Sequence, residues 1–189
     1  MKKHALIFFF LAFVFLFSTK AFALVDAAFV GGYTFQGKIE IGDEYFRDIT
    51  GYQFGFFAHL NVNTDIFLLG FGIAYQHGAF KYEAHNEDQE FDLVSSWGPD
   101  IIFMLNVSST TRPYGRLGFS FIDNLKYDYG EEYKNKTRFL NSGWFALGVG
   151  QVVVPSVIIF AEFQRYVTRM NKDHAIGRYL ANIGVMFVY

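Results

Sequence analysis

Catalysis by a hydroxyl nucleophile needs a serine or threonine beside a base such as histidine. On a strand, residues two positions apart share a face, so a histidine followed two positions later by serine would supply such a pair. None of the four histidines beyond the N-terminal segment is followed in this way: His59, His77, His85 and His174. Pairing in space stays open for Ser96 or Ser142 with His77. With no base placed by spacing, we expect the chain not to be an enzyme.

The composition indicates a folded chain with an unusual apolar content. Of the 189 residues, 21% are aromatic and 18% charged, and there is no cysteine. A disordered chain is poor in aromatic residues, and a small secreted scaffold depends on cysteines, so both classes are excluded. The formal net charge of -2 argues against a nucleic-acid binder, which carries a basic surface. Nothing in the composition predicts a cofactor.

The first 23 residues have the pattern of a secretory signal peptide. Lys2 and Lys3 precede an apolar run over residues 5–17, and small residues follow at Ala21 and Ala23. The run is short for a transmembrane helix, so an uncleaved anchor is the weaker alternative. We therefore expect cleavage after Ala23, with residues 24–189 forming the exported domain.

The exported domain alternates between apolar and small or polar residues over eight segments, the pattern of β-strands. The segments are residues 25–36, 50–60, 65–77, 91–105, 114–122, 139–151, 157–167 and 178–189. Short connections alternate with long polar ones, which predicts an up-and-down antiparallel meander. Pro99 interrupts the fourth segment, so it lies at a bulge or the strand begins near Asp100.

The two faces of these strands differ sharply in volume. One face is bulky and apolar, with residues such as Phe29, Phe54, Phe71, Phe103, Phe145 and Phe163. The other is small or polar, with residues such as Gly72, Gly118, Gly148, Gln164 and Asn182. An eight-stranded barrel is too narrow to hold the bulky face inside, and in water that face would expose far more apolar surface than a soluble monomer tolerates. This favours a barrel with its rings in lipid over a lipocalin-like barrel or sandwich with its rings inside.

The last segment completes the pattern. Tyr179, Ile183, Val185, Phe187 and Tyr189 alternate without a break and end on an aromatic residue at the C-terminus. Together with the signal peptide and the eight amphipathic strands, this segment resembles small bacterial outer-membrane barrels of the OmpX, Ail and OmpA transmembrane-domain type. In that class the terminal aromatic residue belongs to a signal for insertion, although phenylalanine is commoner there than tyrosine.

The resemblance implies an eight-stranded transmembrane β-barrel, all-β and monomeric, in a bacterial outer membrane. Both termini would lie in the periplasm and the long loops outside the cell. Its partners would be outer-membrane lipid and lipopolysaccharide, the barrel assembly machinery during insertion, and a host or matrix ligand. The implied role is structural or adhesive, and the alternatives are a small-solute channel resembling OmpW and a lipid A-modifying enzyme.

Four charged residues have inward-facing positions: Asp100, Arg116, Glu162 and Arg178. An isolated ion in a narrow, weakly polar interior is costly, so we expect these side chains to form an ion-pair network in the lumen. Large inward groups would close the bore nearer the periplasm: Ile66, Leu68, Ile102, Met104, Ile158, Phe160 and Met186, together with Phe57 and Trp144. An ion-selective pore lined by the four charges is the alternative.

The third long loop mixes aromatic and basic residues, a composition suited to gripping a polar polymer or a protein. The candidates are Tyr127, Tyr129, Tyr133, Lys134 and Lys136. The same residues would also suit a membrane-interface belt. The first two long loops are acidic, but neither has the spacing of a known calcium loop, so we expect no metal site.

Overall fold

The computed structural model describes residues 23–41, 44–84, 87–129, 132–139, 142–169 and 174–189, with the backbone alone at residues 23–24, 39–41, 44–47, 83–94, 125–139 and 174 of these ranges. The described chain is built from strands. They are β1 (Ala23–Ile41), β2 (Glu44–Arg47), β3 (Thr50–Asn63), β4 (Phe67–Ala84), β5 (Glu87–Leu105), β6 (Thr111–Phe119), β7 (Ile122–Tyr129), β8 (Glu132–Phe139), β9 (Ser142–Val154), β10 (Val157–Arg169) and β11 (His174–Val188). Within the described ranges there is no helix of the length and apolarity that crossing a membrane requires.

The strands form one closed antiparallel barrel. Neighbours follow the order β4, β3, β1, β11, β10, β9, β6, β5, and β5 pairs with β4 to close the ring. The remaining segments continue barrel strands: β2 precedes β3 along β1, β7 follows β6 along β5, and β8 precedes β9. The eleven described segments therefore make eight barrel strands, and the predicted up-and-down barrel is confirmed.

Closure depends on the two end strands of the chain. The ladder between β1 and β11 runs from Asp26 opposite Val188 to Ile41 opposite His174. At its lower end the Val25 amide donates to the Tyr189 carbonyl over 3.1 Å, and the Tyr189 amide donates to the Val25 carbonyl over 2.8 Å. Since lipid offers no hydrogen bonds to an open strand edge, this ladder is what allows the barrel to sit in a bilayer.

Pro99 lies where one neighbouring ladder of β5 is interrupted. β5 pairs with β7 up to Trp97 and with β6 from Asp100 onward, so Gly98 and Pro99 face the break between β6 and β7. Because proline has no amide hydrogen, a bulge of this kind tolerates it. β5 itself continues through Pro99, which is opposite Ile73 of β4, so the strand does not begin at Asp100.

The bulky face points outward, as the volume argument predicts. Large apolar side chains are exposed around the whole wall, including Phe29, Phe54, Phe71, Phe103, Phe119, Phe145, Ile159, Phe163 and Ile183. The predicted inward groups are buried apart from Ile66, which is 72% exposed because it lies in the tight turn that follows Thr64. Beyond the β1 bulge between Thr34 and Gln36 the alternation changes phase, so Gly37 is inside and Lys38 outside.

The long polar connections are not irregular loops in their described parts. β4 and β5 stay paired to Ala84 opposite Glu87, and β7 and β8 to Tyr129 opposite Glu132. A ladder needs backbone pairing rather than apolar side chains, so the strands continue beyond the apolar wall as two hairpin arms, which β5 and β7 still join as far as Phe91 opposite Tyr127. We refer to residues 125–136 as the β7–β8 arm and to residues 83–88 as the tip of the β4–β5 arm.

Candidate functional site: a polar network across the lumen

Arg116 lies at the centre of the lumen and bonds to two carboxylates. It points inward from β6 because it shares the inward phase of Tyr114 and Gly118. Its Nη1 donates to Asp100 Oδ2 over 3.2 Å, and its Nη2 donates to Glu162 Oε1 over 2.8 Å. The two carboxylate side chains have no exposed surface. One guanidinium therefore links β5 to β10 across the bore.

The network continues from Asp100 through His59 towards the end of the barrel that carries the chain termini. The two ring nitrogens of His59 lie 2.9 Å from Asp26 Oδ1 and 3.0 Å from Asp100 Oδ2. Asp26 also accepts from the amide of Asn61 over 2.8 Å. Both histidine nitrogens thus face carboxylate oxygens, and an imidazolium, which has two N–H donors, satisfies both contacts at once. This part of the network joins β1, β3 and β5.

Glu162 begins the other branch of the network. It accepts from the Tyr114 hydroxyl over 3.0 Å and from the Asn182 amide, also over 3.0 Å. Asn182 donates in turn to Gln164 over 2.8 Å. Gln53 then reaches Gln164 over 3.5 Å and Gln76 over 2.5 Å. The continuous set of contacts involves strands from all sides of the barrel, so the bore is crossed by side chains rather than lined by them.

Rings fill the remaining space around the charges. The Arg116 guanidinium lies 4.2 Å from the centre of the Phe57 ring, and Phe57 packs against Phe160 at 5.8 Å between ring centres. The indole of Trp144 donates to Asp100 over 2.5 Å and stacks on Tyr166. These contacts exclude water from the ion pairs, which strengthens each charge–charge contact and makes the loss of one partner expensive.

A second polar group lies nearer the arms and contains hydroxyls around one acid. Asp123 accepts from Ser120 and from Ser142, each over 2.6 Å, and Ser142 also contacts the hydroxyl of Thr168 at 2.9 Å. The Tyr166 hydroxyl donates to Ser96 over 2.9 Å. All of these side chains are buried. This group therefore places a cluster of buried polar side chains in the upper lumen.

The structure brings together three of the four charges expected in the lumen. Arg178 lies apart, with its guanidinium 3.9 Å from the centre of the Phe80 ring and 4.6 Å from that of Tyr166. On β11 it is four residues from Asn182, which contacts Glu162, and this separation along the strand places it nearer the arms. Its place is therefore beside the second polar group rather than in the Arg116 network.

The ion-pair network predicted from the sequence contained four charged residues and did not include several members that the structure shows: Asp26, His59, Asn61, Tyr114, Trp144 and Asn182. Asp26 and Tyr114 share the inward phase of Thr34 and Arg116 on their own strands, so alternation alone could have identified them. Which inward residues meet across the bore depends on the stagger of the strands, and alternation carries no information about that.

The serines and the histidine proposed as a pair do not meet. Ser96 and Ser142 are buried in the lumen. The His77 ring packs against Phe54 on the outer wall, at 4.6 Å between ring centres, next to the register shift that separates Gln76 from Gly78. In the part of the chain that the structure describes, no group of three histidines or acids is arranged to hold a metal ion.

The other candidate residues lie on described strands. Ile183 and Tyr189 are exposed on the outer wall, whereas Tyr179, Val185 and Phe187 are half-buried there. In the β7–β8 arm, Tyr127 is directly opposite Lys134 and Leu125 opposite Lys136, while Tyr129 is opposite Glu132 and Tyr133 opposite Asp128. The side chains of the arm residues lie outside the described part of the structure.

Solved structures of outer-membrane barrels resemble this chain. Neisserial surface protein A (NspA) superposes with a TM-score of 0.57 at 20% identity, over 88% of this chain and 97% of that one. The N-terminal barrel domain of Pseudomonas aeruginosa OprF gives 0.49 at 15% identity, over 90% and 100% of the two chains. Ail, the attachment invasion locus protein of Yersinia pestis, gives 0.47 at 15% identity, over 86% and 98%. No protein-family model matches the sequence, and no curated protein does. The likeness to NspA shows the fold, that of a small outer-membrane β-barrel.

Proposed function

We propose that this chain is a closed barrel of the bacterial outer membrane that holds its arms at the cell surface and binds a host or matrix ligand through them. The observation that carries the proposal is the network centred on Arg116, which fills the bore from wall to wall. A barrel closed in this way would be a rigid support for the arms at the cell surface and would give solutes no path through the membrane. Eight-stranded barrels are in general too narrow for an aqueous channel, and wider ones supply that function.

The arms supply the surface for binding. In β-geometry each residue advances about 3.3 Å, so the five described residue pairs of the β7–β8 arm, from Leu125 opposite Lys136 to Tyr129 opposite Glu132, extend over about 17 Å. The β7–β8 arm carries Lys126, Lys134 and Lys136 among tyrosines, and Asp128, Glu131 and Glu132 balance their charge, a mixed composition suited to gripping a polar polymer or a protein. We therefore propose the β7–β8 arm, with Tyr127, Tyr129, Tyr133, Lys134 and Lys136, as the adhesive element, and polar matrix polymers as its ligand class.

Assembly is the second part of the proposal. Residues 1–23 act as the signal peptide, and the outward residues Tyr179, Ile183, Val185, Phe187 and Tyr189 are read by the barrel assembly machinery. Support comes from the position of β11, whose ladder with β1 is the closing seam of the barrel. A strand that must pair last with the first strand is well placed to carry the signal for insertion. The assembled protein is a monomer in contact with lipid and lipopolysaccharide.

Conductance tests the closed lumen. The purified barrel is inserted into planar bilayers and single-channel current is recorded, with a wider porin as the positive control. We expect no steps above baseline for the wild-type barrel. Discrete, reproducible steps would identify a small-solute channel and contradict the proposal.

Lipid A from expressing cells should also keep its acylation pattern by mass spectrometry, because the serines and His77 are separated by the barrel wall.

Shortening one arm at a time tests the adhesive role. The variant replaces residues 125–136 by an Asn-Gly turn and keeps Asn124 opposite Thr137, where Asn124 is held by Ser95 over 2.7 Å. The control shortens the β4–β5 arm by replacing residues 83–88 and keeps Tyr82 opposite Gln89. Cells that display each barrel are measured on immobilised heparin. We expect binding to be lost with the β7–β8 arm and retained with the control, and equal binding by both variants would refute the assignment.

A further inference from the structure

A cavity of about 590 Å³ lies on the outer wall at the end of the barrel that carries the arms. It lies over β11 and is bounded by β1 on one side and β10 on the other, the two neighbours of β11 in the sheet. Lys38 lines it from β1, and Arg165 and Arg169 line it from β10. Asp48 is the one acid among its lining residues, so the cavity has an excess of positive charge.

The floor of the cavity is made by small residues. Gly177 is opposite Lys38 on one side and Val167 on the other, and Ala175 is opposite Arg169. A Cβ atom placed on Gly177 would meet no other atom within 4 Å. The wall is therefore recessed where β11 passes between the two basic strands, and the recess leaves room for a group that the three cations could surround.

Aromatic residues place this recess at the membrane surface. The Tyr179 ring lies at its lower edge, packs against Phe163 at 5.7 Å between ring centres, and carries the Arg165 guanidinium at 5.6 Å. Tyr33 with Tyr52, and Tyr75 with Trp97, form exposed or half-exposed ring pairs around the same end of the wall. Tyrosine and tryptophan favour the level of the lipid headgroups, and the phenylalanine-rich wall lies below them.

We infer that this recess binds the phosphate of an anionic lipid headgroup in the outer leaflet. Arginine pairs with phosphate through two parallel N–H donors, and lysine adds a point charge, so Arg165, Arg169 and Lys38 form a suitable set of donors. A lipid anchored in the bilayer would present its phosphate at the level where Tyr179 marks the interface. The inference rests on the membrane location and orientation within the proposed function and is independent of the adhesive role.

Binding to the purified barrel tests the site. The full exported chain is refolded in detergent and titrated with lipid A that carries two phosphates, and bound lipid is counted by native mass spectrometry. Near a membrane each basic residue contributes about a five-fold change in affinity for anionic lipid. Arg165→Gln and Arg169→Gln should each weaken binding by about that factor, whereas Lys81→Gln, which removes an exposed cation on β4 outside the recess, should leave it unchanged.

A charge-neutral pair of variants tests the shape of the recess. Gly177→Leu fills the floor, and Gly31→Leu adds the same side chain at another outward position of the wall where a Cβ meets nothing within 4 Å. We expect Gly177→Leu to weaken lipid A binding and Gly31→Leu to leave it unchanged. Unboiled gel mobility establishes that each variant is folded before it is titrated.

The results separate the possible sources of the phosphate. Full displacement of lipid A by inorganic phosphate at about 10 mM, where the screening length is still about 30 Å and displacement reports direct competition, would overturn the assignment to a lipid. Retained binding under those conditions supports it. Equal affinities for Arg165→Gln and Lys81→Gln would also overturn it. Because these measurements count bound lipid rather than current or cell attachment, their failure is distinct from a failure of the conductance or adhesion experiments.

Discussion

Replacing Arg116 by methionine isolates the contribution of its charge to the stability of the barrel. Methionine keeps an apolar chain against Phe57 but removes the donors to Asp100 and Glu162. Both acids would then be buried beside one another without their shared cation. The substitution leaves Asp100 with donors from His59 and Trp144, and Glu162 with donors from Tyr114 and Asn182.

The loss of unfolding free energy in Arg116→Met depends on the hydrogen bonds that Asp100 and Glu162 keep. Removing one partner of a buried ion pair costs about 3–5 kcal/mol. Because each acid keeps two donors, we expect the lower end, about 3 kcal/mol, for Arg116→Met. With a urea dependence of about 2 kcal/mol per molar, the unfolding midpoint should fall by about 1.5 M. Arg165→Met is the control, since the loss of an exposed arginine on the outer wall should cost at most about 0.5 kcal/mol.

The chain supplies its own reporter for this measurement. It has two tryptophans, of which Trp97 is 45% exposed on the wall and Trp144 is buried against Asp100. In a Trp97→Phe background, Trp144 fluorescence therefore reports on the network during urea unfolding in detergent. Adding Glu162→Gln to Arg116→Met should recover about 1 kcal/mol, because it removes one of the two stranded charges. If Arg116→Met and Arg165→Met unfold at the same urea concentration, or if the double variant shows no recovery, the network does not stabilise the barrel.

Three further results are expected. Gly118→Val should lower the stability by about 1–3 kcal/mol in urea unfolding, because a side chain there would run into the Trp144 indole, whereas Gly31→Val should be neutral. Deleting Tyr189 should slow the appearance of the fast-migrating unboiled form on SDS gels, since it removes the two hydrogen bonds to Val25 at the closing seam, and unchanged kinetics would show that the seam closes without them. N-terminal sequencing of the protein from outer membranes should begin at Leu24, and an intact Met1 there would contradict the signal peptide.

The exterior of the barrel could be predicted from the sequence because one rule governs it. Alternation assigns every second residue of a strand to the same side, and the size of Phe54, Phe103 or Phe163 decides which side faces lipid. The rule fails where the backbone departs from ideal pairing. The β1 bulge after Thr34 brings Gln36 to the outside, and the turn at Thr64 exposes Ile66. A bulge of this kind requires no particular residue type in either strand, so it cannot be recognised from the sequence.

The composition of the arms predicts loops where the structure has paired strands. Residues 78–90 and 123–138 lose the apolar alternation and therefore predict loops, yet most of them extend the ladders of β4 with β5 and β7 with β8. Alternation records where a strand has one face in lipid or in a core. Beyond that part of a strand, backbone hydrogen bonds can continue a hairpin that the side chains no longer indicate.

The lumen is harder to predict because each of its large side chains occupies the space that a small residue on a neighbouring strand leaves. A side chain on Gly118 would meet Trp144, one on Gly148 would meet Tyr114, and one on Gly184 would meet Phe160. These inward glycines thus give space to rings that lie among the buried ion pairs. From the sequence, a face rich in glycine and polar residues is equally compatible with a water-filled bore. The difference lies in the cross-strand register, which places these three glycines directly beside rings, and a single change such as Gly118→Val should therefore disturb the charges through Trp144 and its bond to Asp100.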